Sequence, residues 1–287
     1  LYNACQVLFE KGDEVVIFSP YWVSFPDFVS VTGAKPVFVK TDSKKQFEPI
    51  MDDFLNKINT KTKAIIINSP SNPTGGVWSK EKILEIIKIC KKNNLWVFSD
   101  ECYEQLVYDY KYYSTAYLSN YDKIITFQSC SKTYSMTGWR IGYAAGHKKI
   151  VKAMAKLQGQ STSCPNSIAQ HAAIEALSGN QEEVTIMKNA FKKRRDFIMK
   201  ELLRIDKIEC AVPYGAFYVF PDVSKYFNNK FKTAQDIAMY LLDKESVVSV
   251  PGDSFGAPNN IRFSYAVSIN KIKDAMDKFQ LILKDLN

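Results

Sequence analysis

Along the first half of the chain, short β-branched runs alternate with longer amphipathic ones. EVVIFS (14–19), KPVFVK (35–40), KAIIINS (63–69), LWVFSD (95–100) and KIITFQS (123–129) read as strands. YWVSFPDFVSVTG (21–33), EPIMDDFLNKIN (48–59) and SKEKILEIIKICKKNN (79–94) read as the helices between them. That rhythm predicts an α/β fold: a mostly parallel sheet in a large domain, with helices on both faces. From about Asn180 the pattern changes. A long charged amphipathic stretch, NQEEVTIMKNAFKKRRDFIMKELLRI (180–205), leads to the short strands AFYVF, SVVSV and IRFSYA, framed by the helices TAQDIAMYLLDK (233–244) and INKIKDAMDKFQLILKDL (269–286). A large domain over residues 1–190 and a smaller C-terminal α+β domain over 191–287 are therefore expected. No repeat or Gly/Ser linker separates them, so the two should share a packed interface.

Composition narrows the function. With 287 residues, 46% of them hydrophobic, the chain can bury a large core. No apolar run approaches the roughly 18 residues of a membrane span, and no targeting pattern opens the chain, so a cytoplasmic protein is expected. Six cysteines without a CxxC pair, beside only two histidines, argue against zinc and for free thiols in a reducing compartment. The formal charge of +8 comes from scattered lysine pairs such as Lys44-Lys45 and Lys91-Lys92, not from a basic stripe with interleaved aromatics. A solvated surface is the expectation, with no nucleic-acid partner. Arginine is scarcer: five against 33 lysines. Arg194, Arg195 and Arg204 lie in the polar helical stretch, whereas Arg140 and Arg262 stand alone in the apolar runs WRIGYAAG and NIRFSYAV. Two buried anion sites are predicted there, because only a planar, always-charged group justifies that desolvation.

Ligands of open parallel sheets bind beyond the carboxyl ends of the strands. EVVIFS runs into Pro20-Tyr21-Trp22, KAIIINS into Pro70-Ser71-Asn72, LWVFS into Asp100-Glu101-Cys102-Tyr103, and KIITFQ into Ser129-Cys130-Ser131-Lys132. One rim collects an aromatic plate, an amide, a carboxylate, a phenol, hydroxyls and an amine. Lys132 sits among small and apolar neighbours in SCSKTYSMTGWRIGY, where an unpaired ammonium is costly, so it is either a misread surface lysine or a reactive group.

The segments SPYW (19–22), NSPSNPTGGV (68–77), SDECYEQLVYD (99–109), SKTYSMTGWRIGY (131–143), YGAFYVF (214–220) and RFSYA (262–266) together resemble the fold-type I pyridoxal-phosphate aminotransferases of classes I and II, within them the bacterial and plant-type aspartate aminotransferases. The resemblance runs from Leu1 to the last helix. It implies that Lys132 binds the cofactor covalently and shuttles the substrate's proton. It implies that Asp100 pairs with the pyridine nitrogen, although SDE read alone is equally a helix N-cap. Tyr103 and Asn72 would partner the cofactor's phenolic oxygen, and Trp22 would stack on the ring and border the substrate. Arg140, with Ser129 and Ser131, would hold the phosphate; Arg262, with Asn72, would grip the substrate α-carboxylate.

The resemblance further implies a homodimer acting on small amino and 2-oxo acids, with aspartate and 2-oxoglutarate as the favoured pair. Aromatic amino acids, alanine and prephenate stay open as substrates at this point. So do a fold-type I lyase using the same residues and a non-catalytic cofactor-binding regulatory module. The opening LYNACQVLFEKGDEVV begins partway through a helical pattern without a start signal, so an N-terminally incomplete chain is expected. The family's upstream phosphate-binding turn, N-terminal closing segment and partner-reaching tyrosine are not among the 287 residues.

Overall fold

A computed structural model of the protein describes residues 1–285; Leu286 and Asn287, the end of the last predicted helix and of the smaller predicted domain, lie outside the described residues. Among the described residues seven strands form the main sheet: β1 (Glu14–Ser19), β2 (Lys35–Asp42), β3 (Glu48–Pro49), β4 (Thr62–Asn68), β5 (Trp96–Asp100), β6 (Ile124–Ser129) and β7 (Gly142–Ala145). Their order is β3-β2-β1-β4-β5-β6-β7. The five central strands run parallel, and β3 and β7 close the two edges antiparallel.

Side chains alternate across a strand, so a sheet covered on both faces needs apolar residues in both registers. Val16, Phe18, Ile65 and Ile67 pack on one face against the helix Lys80–Lys92, whose Ile83, Ile86, Ile87 and Cys90 recur at helical spacing. Val15, Ile17, Ala64 and Ile66 pack on the other, with Phe25 and Val29 of the helix Ser24–Ser30. This is the mostly parallel α/β arrangement predicted from the pattern. Parallel register sets Asn68 beside Asp100 and Asp100 beside Phe127, which levels the carboxyl ends of β4, β5 and β6.

A second, antiparallel sheet has the order β8-β10-β9, with β8 (Tyr218–Val219), β9 (Val250–Pro251) and β10 (Ile261–Ser264). The predicted strand SVVSV survives only at its last residue. Ser246 takes a left-handed φ of 56° that stops the helix Ala234–Glu245, so the residues after it form a connection. The division proposed between residues 190 and 191 falls inside the helix Glu182–Leu202, whose Phe191, Ile198, Met199 and Leu202 share a core with Tyr103, Leu106 and Tyr108. Gly75 makes the loop after β4 fit this region. Its φ is +68°, and a Cβ there would stand 2.4 Å from Pro213 Cβ and 2.8 Å from Gly215 O.

Arg195 corrects the sequence reading, which took its helical stretch as polar and did not count it among the buried arginines. It is 4% exposed, occupying the apolar stripe that Phe191, Ile198 and Leu202 define. Its guanidinium donates to Asp109 at 2.7 Å, to Asp196 at 2.7 Å and to Pro213 O at 3.2 Å, and lies over the Tyr108 ring. Arg195→Ala should destabilise the fold by about 2 kcal/mol, since the lost partners are one buried carbonyl and two half-exposed carboxylates. Urea unfolding measures this, and an unchanged midpoint would refute it.

Candidate active site

β6 runs straight into one helical turn, Cys130–Thr133, which carries Lys132. Ser129 caps the turn, its Oγ accepting from the Ser131 N–H at 3.1 Å. Lys132 Nζ lies 5.9 Å from the centre of the Tyr103 ring and 5.7 Å from that of Phe217. Among the described residues it has no hydrogen-bond acceptor or carboxylate partner, so aromatic faces alone hold it and none of its N–H bonds is committed.

Asp100 ends β5 and is 7% exposed. Burial raises its affinity for a proton above the usual carboxylate range; the Cys102 N–H, 3.3 Å from Oδ1, offsets part of this, and neighbouring Glu101 adds to it. Among the described residues no Lys, Arg or His side chain lies within ion-pair distance of Asp100. Glu101 is a different case. It is also buried, but it accepts hydrogen bonds from Ser99 and Ser114 hydroxyls and from the Thr115 N–H, which ties the loop after β5 to the sheet.

Lys132 and Asp100 line a cavity of about 700 Å³, whose wall also includes Trp22, Asn72 and Tyr103. Ser129, Ser131 and Arg140 line it too. Trp22 is fixed edge-on by Phe25 and Phe28. The predicted burial of Arg140 is corrected: it is exposed. GYAA is the edge strand β7, open on its outer face, so apolar neighbours there do not mean burial. Arg140 instead caps the turn Thr137–Trp139 with a φ of 53° and donates to Thr137 O at 2.8 Å.

Arg262, on β10, does not line the cavity but reaches its wall. Nη1 donates to Asn72 Oδ1 at 2.8 Å, and the guanidinium is sandwiched between Tyr218 at 4.6 Å and Phe255 at 4.9 Å. Its buried Nε has no partner. Burial lowers its proton affinity, the Tyr218 and Tyr103 phenols pulling the other way. The sequence reading missed Asn68, whose amide accepts from Asn72 N–H at 2.9 Å and donates to Asp100 O at 3.4 Å. It also missed Phe217 and Tyr218. Asn68 is the last residue of its strand, so the rule that found Asp100 applies to it as well.

Geometry alone shows an unpaired amine and a buried carboxyl outside any ion pair in one cavity, and behind its wall a guanidinium whose Nε has no partner among the described residues. Residues 1–279 match the family model described as aminotransferase class I and II. The chain belongs to that family. An aspartate aminotransferase from Bacillus sp. (strain YM-2) is 43% identical to this aminotransferase, over 99% of the chain and 74% of the relative. A probable aspartate/prephenate aminotransferase from Aquifex aeolicus is 40% identical, over 100% and 74% respectively. The solved Thermus thermophilus aspartate aminotransferase with maleate superposes with a TM-score of 0.92 at 36% identity, over 98% of this chain and 72% of that one. The α/β architecture of this aminotransferase is thus that of its solved relatives. Among the described residues no helix is long and apolar enough to cross a membrane.

Proposed function

We propose that the protein is a pyridoxal-phosphate-dependent transaminase that passes the α-amino group of aspartate to 2-oxoglutarate in a ping-pong cycle. One observation carries the reading: Lys132, with its N–H bonds uncommitted, shares a cavity with Asp100, a buried carboxyl that makes no ion pair among the described residues. Both features suit a cofactor that is an aldehyde at one position and a basic pyridine at another. Bound there, pyridoxal phosphate supplies an electrophilic carbonyl carbon and a ring that accepts electrons.

In this proposal Lys132 Nζ would hold the cofactor covalently at rest and, once the substrate amine has displaced it, would take the proton from the amino acid's α-carbon. Asp100 would hold a proton on the ring nitrogen, an ion pair that would offset its own desolvation. Trp22 would cover the ring, and Asn72 and Tyr103 would partner its oxygen. Ser129, Ser131 and the exposed Arg140 would hold the phosphate. Arg262 takes the substrate α-carboxylate on the fork that Asn72 leaves open, with Trp22 bordering the substrate.

Aspartate is supported by the names of the Bacillus and Thermus relatives, and by maleate, the C4 dicarboxylate with which the Thermus enzyme was solved. Prephenate is the second acceptor reading, supported by the Aquifex relative's name. A panel of amino donors with 2-oxoglutarate, read by oxo-acid formation, tests the assignment. Turnover with other donors but not aspartate would move the substrate; no turnover with any would remove the reaction. Pyruvate release from a cysteine-like substrate without an acceptor would replace transamination by elimination.

A homodimer working in the cytoplasm is part of the same proposal. The exposed Trp139, Tyr143, Ile168 and Ile174 support a second copy, and six unbridged cysteines suit a reducing compartment. Light scattering of the cofactor-loaded protein should give twice the chain mass.

Asp100 also yields a pH prediction for the cofactor-free protein. Its folded carboxyl binds a proton more tightly than the unfolded one. Its contribution to stability is therefore full below about pH 4 and lost as the pH rises through the higher folded value. Asp100→Asn should raise the melting temperature of the cofactor-free protein at neutral pH, with the gain shrinking towards pH 4, while weakening cofactor binding. A variant that melts lower than the parent at neutral pH would contradict this.

A further inference from the structure

We propose that Tyr218 is a positioning residue whose hydroxyl donates to Tyr103, turning the Tyr103 proton into the cavity and coupling it to Arg262. This rests on the functional reading above, in which Tyr103 faces the cofactor's ring oxygen. The two phenol oxygens stand 2.8 Å apart, both side chains are buried, and only Tyr103 lines the cavity. Among the described residues neither hydroxyl has another hydrogen-bond partner.

A phenol carries one proton, so one of the pair donates and the other accepts. Arg262 decides which. Its guanidinium lies 4.6 Å over the Tyr218 ring and favours negative charge on that oxygen more than on that of Tyr103, making Tyr218 the more acidic phenol and hence the donor. Burial pushes both phenols up and Cys102 adds to both; Tyr103 goes further, with Asp100 raising it as well, while the Arg262 cation offsets part of the rise at Tyr218. Across the ring face of Tyr103 stands Lys132. With its lone pair occupied by the Tyr218 proton, Tyr103 has its own proton free for the cavity, and hydrogen bonds in series strengthen one another. A carboxylate bound at Arg262 neutralises the cation over Tyr218, weakens that donation, and so reaches the ring oxygen without touching it.

The test reads the visible absorbance of the protein loaded with pyridoxal phosphate as a function of pH. A hydrogen bond donated to the ring oxygen holds negative charge there and lowers the midpoint of the band's titration. Tyr218→Phe keeps the ring and removes only the hydroxyl, so the midpoint should rise by a few tenths of a pH unit. In a Tyr103→Phe background the same substitution should move nothing further, which a purely structural role would not produce. Maleate, which binds without reacting, should raise the parent midpoint more than that of Tyr218→Phe. Equilibrium dialysis of pyridoxal phosphate and a melting curve show that each variant is folded and loaded. A parent band with an unmoved midpoint in Tyr218→Phe, or equal shifts in both backgrounds, overturns the inference alone. No cofactor band in the parent removes the functional reading, and this inference with it.

Discussion

Lys132→Ala should lower kcat for transamination by at least about 10⁴-fold while leaving the melting temperature near that of the parent. The size follows from two roles lost together. The variant has no amine to anchor the cofactor and no base to move the α-carbon proton, and no other lysine among the described residues lines the cavity. The fold should tolerate the change. Among the described residues the Lys132 side chain makes no ion pair or hydrogen bond, so alanine leaves no buried partner unsatisfied and removes only weak contacts with Tyr103 and Phe217. Single-turnover kinetics with aspartate, beside a thermal melt, would show both. Parent-like turnover in the folded variant would place the chemistry on another residue. A small exogenous amine restoring part of the rate would confirm that an amine, and nothing else, is missing.

Arg262→Ala should cost about 10²–10³-fold in kcat/KM, the range expected when one partner of a desolvated, hydrogen-bonded charge pair is removed. The buried Nε without a partner and the Nη1 bond to Asn72 leave a fork whose remaining donors suit a carboxylate. Arg262→Lys separates charge from geometry. An ammonium keeps the sign but neither the planar stack between Tyr218 and Phe255 nor the two-pronged grip, so most of the loss should persist. The effect should fall on KM and on maleate inhibition together. A variant with unchanged maleate affinity would show that the substrate carboxylate binds elsewhere.

Much of this site was legible because its residues follow strand ends, and strand ends are legible from periodicity. Lys132, Asp100, Asn72 and Trp22 each stand at or a few residues past the end of an apolar β-branched run. A mostly parallel sheet then sends all of them to one rim. Burial was far less legible. Arg140 and Arg262 look alike in sequence, each alone in an apolar run, yet one is exposed beside an edge strand and the other is held between two rings. Arg195 erred the other way. Its neighbours Lys193, Arg194 and Asp196 disguise it, but its spacing from Phe191, Ile198 and Leu202 places it on the buried face.

The chain by itself determined the parallel α/β core and which residue types crowd the rim, since both follow from local periodicity and from the short loops after each strand. Only the tertiary structure decided which charges are buried, that Tyr218 stands behind Tyr103, and that Arg262 reaches Asn72 across 190 positions. Such contacts depend on how two separately formed sheets pack, and no pattern of neighbours along the chain encodes that distance.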